Sequence, residues 1–223
     1  MSRAAARRLA LVLLALVLPP ALGVARAGAE PTREEALAAL AEPAYDAEVR
    51  RRAALWLARK GLMEDVPALV DALRDADPLV RAFAETALWQ VWSRSGDEEV
   101  DRLFAIGVEQ MAARQGEAAA ETFTRVIERK PEFAEGWNKR ATVYYLLGEY
   151  EKSRADCDQV LKRNPHHFGA LSGYGMIYLQ LDQPARALDY FERALGVNPN
   201  LTSVRETVEA LRALLIKQRK DTI

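Results

Sequence analysis

Between positions 134 and 163, apolar residues recur at helical spacing in two runs with a break between them. In the first run they stand three or four residues apart, which places them on one helical face: Trp137, Ala141, Tyr144 and Leu147. Gly148 follows, and glycine there is typical of a helix C-terminus. The second run carries Val160 and Leu161 and ends before Pro165, because the residue preceding a proline is disfavoured in the α region. The pattern predicts two amphipathic helices joined by a tight turn.

This helix pair is one copy of a pattern that recurs every 34 residues. The closing prolines are Pro131, Pro165 and Pro199. Equivalent positions carry matching side chains: the anchors Leu103, Trp137 and Leu171, the small residues Gly107, Ala141 and Gly175, and the second-helix residues Phe123, Cys157 and Phe191. A fixed period of this length is typical of a solenoid, in which each unit buries its apolar face against its neighbours.

The pattern resembles the tetratricopeptide repeat (TPR). The middle copy has the signature residues in place: Trp137, Ala141, Tyr144, Gly148, Tyr150, Cys157 and Pro165. The third copy, Leu171 to Pro199, matches nearly as well. In the first copy Gln110 replaces the usual tyrosine, and the turn glycine, Gly116, stands two places later than expected. The resemblance implies a stack of antiparallel helix pairs whose aromatic residues pack its interior.

A shorter repeat of 31 residues precedes the TPRs. Asp46 and Arg50 in one copy match Asp77 and Arg81 in the next, and each set leads into an alanine-rich apolar run. This pattern resembles the HEAT-like repeat, whose second helix opens in the same way. The resemblance implies that the two arginines are structural. Asp77 is also a favourable N-cap, and Pro78 a favourable first helical residue.

The predicted fold is therefore all-α, an α-solenoid built as a superhelical stack of antiparallel helix pairs. It comprises a signal peptide (1–27), HEAT-like repeats (28–95), three TPRs (96–201), and a C-terminal capping helix with its tail (202–223). The polar segment 93–97 is short enough to be a packed joint between the two kinds of repeat, which would make one continuous right-handed array.

The N-terminus has the pattern of an export signal. Arg3, Arg7 and Arg8 precede the apolar stretch Leu9–Leu18, and Ala25-Arg26-Ala27 forms a cleavage site, so a mature chain would start at Gly28. The apolar stretch is shorter than the about 20 residues that span a bilayer. We expect a periplasmic or secreted protein without stable membrane insertion after cleavage. Retention of the segment as an anchor is the open alternative.

Charge and cysteine content narrow the functional classes further. The 223-residue chain has 31 basic and 32 acidic residues, and removal of residues 1–27 would leave 27 basic residues against 32 acidic ones. An acidic chain lacks the basic face that nucleic acids require, so we expect no nucleic-acid partner. Cys157 is the only cysteine and occupies an apolar repeat position, which favours a small buried hydrophobe over a reactive thiol.

Catalytic motifs are missing from the sequence, which has no P-loop, G-x-S-x-G, H-E-x-x-H or C-x-x-C. His166 and His167 are adjacent in a turn, where a turn role is favoured over a shared metal. We therefore expect no enzyme activity, metal or cofactor. Arg140 stands where the TPR family usually packs leucine. Because an unpaired buried arginine is costly, we predict that it meets an acid such as Asp156 or extends to solvent.

The resemblance implies a concave groove lined by the first helix of each TPR. The candidate partner-binding residues are Phe104, Glu135, Asn138, Thr142, Tyr145, Ser172 and Met176, with Val108, Met111 and Leu179 at further lining positions. Amide, hydroxyl, aromatic and methionine side chains together suit a peptide with some apolar residues. One TPR subclass clamps an acidic C-terminal carboxylate with lysine and asparagine. Gly169 and Gly173 stand at the corresponding positions, which argues against that mode.

The sequence thus predicts an exported scaffold or adaptor that binds a protein or peptide, as part of the bacterial cell envelope. Two alternatives stay open. One is a small-molecule or enzymatic role in a pocket between the HEAT-like and TPR segments. The other is a homo-oligomer that uses the edges of its own solenoid.

Overall fold

A computed structural model describes residues 30–221, and the regular secondary structure in that part of the chain is all helical. Its helices are α1 Arg33–Ala41, α2 Ala47–Lys60, α3 Val66–Ala72, α4 Pro78–Trp92, α5 Glu98–Ala112, α6 Gly116–Arg129, α7 Ala134–Leu146, α8 Tyr150–Arg163, α9 Phe168–Gln180, α10 Pro184–Val197 and α11 Thr202–Asp221. A short 3-10 turn, Met63–Asp65, precedes α3. The predicted all-α solenoid is confirmed. The predicted signal peptide lies outside the described residues.

Side-chain caps start the N-terminal helices where the sequence pattern places them. The Asp46 carboxylate accepts a hydrogen bond from the Glu48 amide at 2.7 Å at the start of α2. Asp77 accepts from the Leu79 and Val80 amides at 3.0 and 2.9 Å at the start of α4, with Pro78 as first helical residue. Caps satisfy amides that have no partner within the helix. The assignment of these helices to a HEAT-like repeat stays a prediction.

Arginines bind the N-terminal helices to one another. The buried Arg50 guanidinium donates to both carboxylate oxygens of Asp75 at 2.7 and 2.9 Å. It also donates to the carbonyl of Tyr45. Arg81 donates to the carbonyls of Asp75 and Ala76 at 2.8 and 3.1 Å. Both predicted arginines therefore hold loops and helix ends together.

The three helix pairs that the sequence predicts as TPRs are α5/α6, α7/α8 and α9/α10, and they turn at equivalent positions. Arg114, Gly148 and Asp182 stand 34 residues apart and have φ of 59°, 78° and 52°. The placement of Gly116 suggested that the turn of the first copy is shifted by two residues. The structure shows instead that this turn lies at the same repeat position as the other two. Arg114 occupies the left-handed position, and Gly116 is the first residue of α6.

Small and large side chains complement each other between the two helices of each pair. A Cβ added at Gly107 would lie 2.7 Å from the Phe123 ring, and one added at Gly175 would lie 2.5 Å from the Phe191 ring. Phenylalanine packs in these pairs because the facing residue has no side chain. The middle copy has Ala141 and the buried Cys157 at the equivalent positions. Burial raises the pKa of the Cys157 thiol to about 12, consistent with its prediction as a small core residue.

The N-terminal unit (α1–α4) packs against a part of the solenoid that is distant from it along the chain. Its apolar core includes Phe168 at the start of α9. Val197, the last residue of α10, and Leu201 beyond it pack against this core. The N-terminal unit therefore lies against the third TPR, which is more than 70 residues away from α4 along the chain. A continuous array in which each repeat contacts only its neighbours in the chain, as the sequence suggested, would not include this contact.

Candidate functional site

An aromatic cluster joins the N-terminal unit to the TPRs. The Trp92 ring stacks on the His167 ring, with centroids 4.4 Å apart. Trp89 meets Phe168 edge-on at 5.2 Å. Gly169 lies directly beneath Trp89, since an added Cβ would come within 2.6 Å of that ring. Two tryptophans of α4 thus cover the N-terminal end of α9.

Polar contacts extend the same junction to the end of α10. The Arg74 guanidinium donates to the carbonyls of Gly196 and Val197, where a helix C-terminus favours a cation. Asn200 donates to the Leu73 carbonyl at 2.7 Å, and Asn198 donates to the Glu85 carboxylate at 3.1 Å. The junction therefore combines packing with directional bonds.

Beneath the aromatic cluster, Glu135 and His167 form a buried pair. His167 Nδ1 accepts a hydrogen bond from the Ala170 amide at 3.1 Å, so the ring proton lies on Nε2 and is donated to Glu135 Oε2 at 2.8 Å. Asn138 and Lys139 also donate to the Glu135 carboxylate. Burial opposes the charge of Glu135, but these bonds outweigh it and lower its pKa. His167 thus caps α9, in agreement with the predicted turn role.

Three predicted groove residues are closed off. Phe104 is 7% exposed and packs on Phe123 and Phe133, while Glu135 and Asn138 are 0% and 8% exposed. The sequence placed them on the groove because their repeat positions face it in the TPR family. In this chain neighbouring residues and the N-terminal unit cover those positions, so none of the three is available to a partner. Ser172 is half-buried and donates to the Phe168 carbonyl.

The other predicted residues lie on an exposed surface formed by the C-terminal halves of α5, α7 and α9. We call it the open stripe, and its nine residues occupy the same three repeat positions in each copy: Val108, Met111, Ala112, Thr142, Tyr145, Leu146, Met176, Leu179 and Gln180. The exposed fractions of Val108, Leu146 and Met176 are 38%, 70% and 41%. Ala112, Leu146 and Gln180 were not predicted, although their place beside a lining position was a usable signal.

The open stripe is apolar and carries no charged side chain. Two of its polar groups bind each other: Gln180 Nε2 at the end of α9 donates to the Tyr145 hydroxyl at 3.3 Å, which ties α7 to α9. The Thr142 hydroxyl donates to the Asn138 carbonyl at 2.9 Å. Tyr145 keeps its hydroxyl proton for a further acceptor. The surface can thus bind apolar side chains and a few backbone polar groups.

Within residues 30–221, no group of three or more His, Cys, Asp and Glu side chains is placed to hold a metal ion. None of the helices in that part of the chain is long and apolar enough to cross a bilayer.

The paired helices, the common turn position and the 34-residue register define a helical repeat protein of the solenoid class. A family model for the tetratricopeptide repeat matches residues 132–199. A TPR repeat-containing protein from Rhizobium etli is 31% identical over 146 residues, which cover 66% of this chain and 72% of that protein. The chain belongs to the tetratricopeptide repeat family.

Solved structures agree on the fold. The Sgt2 TPR domain from Aspergillus fumigatus has a TM-score of 0.52 at 19% identity and covers 56% of this chain and 83% of its own. The first TPR domain of RPAP3, solved with an HSP90 peptide, has a TM-score of 0.51 at 19% identity over 53% of this chain and 94% of its own.

Proposed function

We propose that this chain is a non-catalytic scaffold that binds a segment of another protein on the open stripe. The observation that carries the proposal is the exposure of one large apolar side chain on each of α5, α7 and α9 within the open stripe: Val108, Leu146 and Met176. A soluble surface rarely keeps such a set without a partner. The RPAP3 domain, which has the same fold, was solved with a peptide bound, and this supports a peptide-binding role.

The proposal includes export to the cell envelope or beyond, supported by the basic, apolar and small-residue pattern of residues 1–27. Fractionation of cells that make the protein should give a chain shortened by about 27 residues in the exported fraction. A full-length chain in the cytoplasm would contradict this part of the proposal alone.

A catalytic role in the junction between the two units is not favoured. Glu135 and His167 are the acid–base pair there, and both are fully buried beneath Trp92 and already bonded to protein groups. A substrate could not reach them without separation of the units.

In vivo photo-crosslinking tests the proposal. A photoreactive amino acid at Met176 should give an adduct of discrete mass, whereas the same label at Ile216, which is 59% exposed on α11, should not. The change Leu179→Glu, beside Met176 on the open stripe, should abolish the adduct without loss of helicity. Adducts that are equal at both positions, or that persist with Leu179→Glu, would contradict binding on this surface.

A further inference from the structure

The open stripe is bounded at one end by the N-terminal unit. Glu135 and Gly169 continue the same helix faces toward the N-terminal ends of α7 and α9, but Gly169 lies against Trp89 and Glu135 is bonded to His167 beneath Trp92. Asn138, bonded to Glu135, is also buried. A partner therefore has access only to the C-terminal halves of the three lining helices. This restriction follows from Trp89 and Trp92, which belong to a different part of the chain.

The uncovered part offers no charge to a partner. None of its nine residues is charged, in a chain of which 28% is Asp, Glu, Lys or Arg. Lys139, three residues before Thr142 on α7, is bound to Glu135 at 3.1 Å. A charged ligand group would lose its hydration on this surface without gaining an opposite charge. The absence of charge on the open stripe therefore favours an uncharged partner segment.

The dimensions and polar groups of the stripe favour an extended segment. Three adjacent helices at interaxial distances of about 9 Å span about 20 Å, which about six residues of extended chain cover. Tyr145 on the middle helix and Gln180 at the end of α9 can bind backbone carbonyl and amide groups. A helical ligand has those groups bonded internally and could not use these partners.

We propose that the partner contributes an extended, uncharged segment of about six residues with apolar side chains, and that acidic C-terminal segments are rejected. This inference rests on the proposed function and specifies the chemistry of its ligand. Rejection of acidic ends has two causes in the structure. Gly169 and Gly173 supply no cation, and Gly169 is covered by Trp89.

Selection from a display library of random heptapeptides on the full mature chain tests this proposal. We expect enrichment of uncharged apolar sequences with no preference for an acidic C-terminus. Their affinity should change less than about twofold between low and high salt, because no ion pair forms. Met176→Glu should weaken binding at least about tenfold, the equivalent of 1.4 kcal/mol. Ile216→Glu, a matched change at an exposed apolar residue outside the stripe, should leave it unchanged.

The outcomes separate the two proposals. Enrichment of acidic peptides whose binding is lost with Met176→Glu would overturn the ligand chemistry and retain binding on the stripe. Binding that is insensitive to Met176→Glu, or no enrichment at all, would contradict the proposed function together with this inference.

Discussion

At the scale of single residues, two departures from the TPR pattern bind neighbouring copies together. Arg140 donates to both oxygens of Asp156 at 2.8 Å, as predicted, and also to the Thr124 hydroxyl of the preceding copy at 2.9 Å. Tyr174, at the equivalent position, donates to Asp158 of the preceding copy and stacks on Tyr190 at 4.3 Å. Burial opposes the Arg140 charge, yet its bonds to Asp156 raise its pKa. Polar residues in leucine positions thus make specific cross-copy contacts.

Removal of Asp156 should leave the Arg140 charge largely buried without its partner. We expect Asp156→Ala to lower the free energy of unfolding by about 2–4 kcal/mol, measured by urea denaturation. The double change Arg140→Met with Asp156→Ala should cost less than Asp156→Ala alone, because no charge stays buried. If Asp156→Ala alone changes the free energy of unfolding by less than about 0.5 kcal/mol, solvent already screens the Arg140 guanidinium and the expectation is wrong.

At the scale of secondary-structure elements, the sequence predicts the helices well because their signals are local. Apolar spacing, Asp77 with Pro78, and the glycine at 148 each act within a few residues of where a helix begins or ends. The first TPR turn was misread because its left-handed residue is Arg114 instead of glycine. A turn position can be recognised by its 34-residue register even where the residue type is unfavourable.

The turn geometry gives a test with a neighbouring control. Arg114→Gly should raise the free energy of unfolding by about 0.5–1 kcal/mol, since it removes a left-handed non-glycine residue with φ of 59°. Ala113→Gly, one residue earlier with φ of −78°, should lower it by a similar amount. Thermal or urea unfolding measures both. Equal effects of the two changes would contradict the turn assignment.

At the scale of the whole molecule, the docking of the N-terminal unit on the third TPR could not be predicted from the sequence. Its contacts join Trp89 and Trp92 to residues more than 70 positions away, and no local periodicity encodes such a pairing. Tertiary packing also explains why three groove residues were only partly predictable. The repeat register places Phe104, Glu135 and Asn138 on the lining helices, but Phe104 packs on Phe123 and Phe133, and Glu135 is bonded to His167 beneath Trp92.

Two glycines one turn apart on α9 test the docking. Gly173→Ala should raise the free energy of unfolding by up to about 1 kcal/mol, because its Cβ would meet only the Cys157 sulfur at 3.7 Å. Gly169→Ala should instead lower it by about 1–2 kcal/mol, since its Cβ would lie 2.6 Å from Trp89. Tryptophan fluorescence should shift only for Gly169→Ala. If both changes stabilise the protein equally, α4 does not pack on α9.

Amide hydrogen exchange of the protein with and without a selected apolar peptide tests the binding surface most directly. We expect slower exchange in residues 142–146 and 176–180, with no change in α11 or in α1–α3. Protection confined to α11 or to the N-terminal unit, with the peptide demonstrably bound, would contradict the claim that the open stripe is the binding surface.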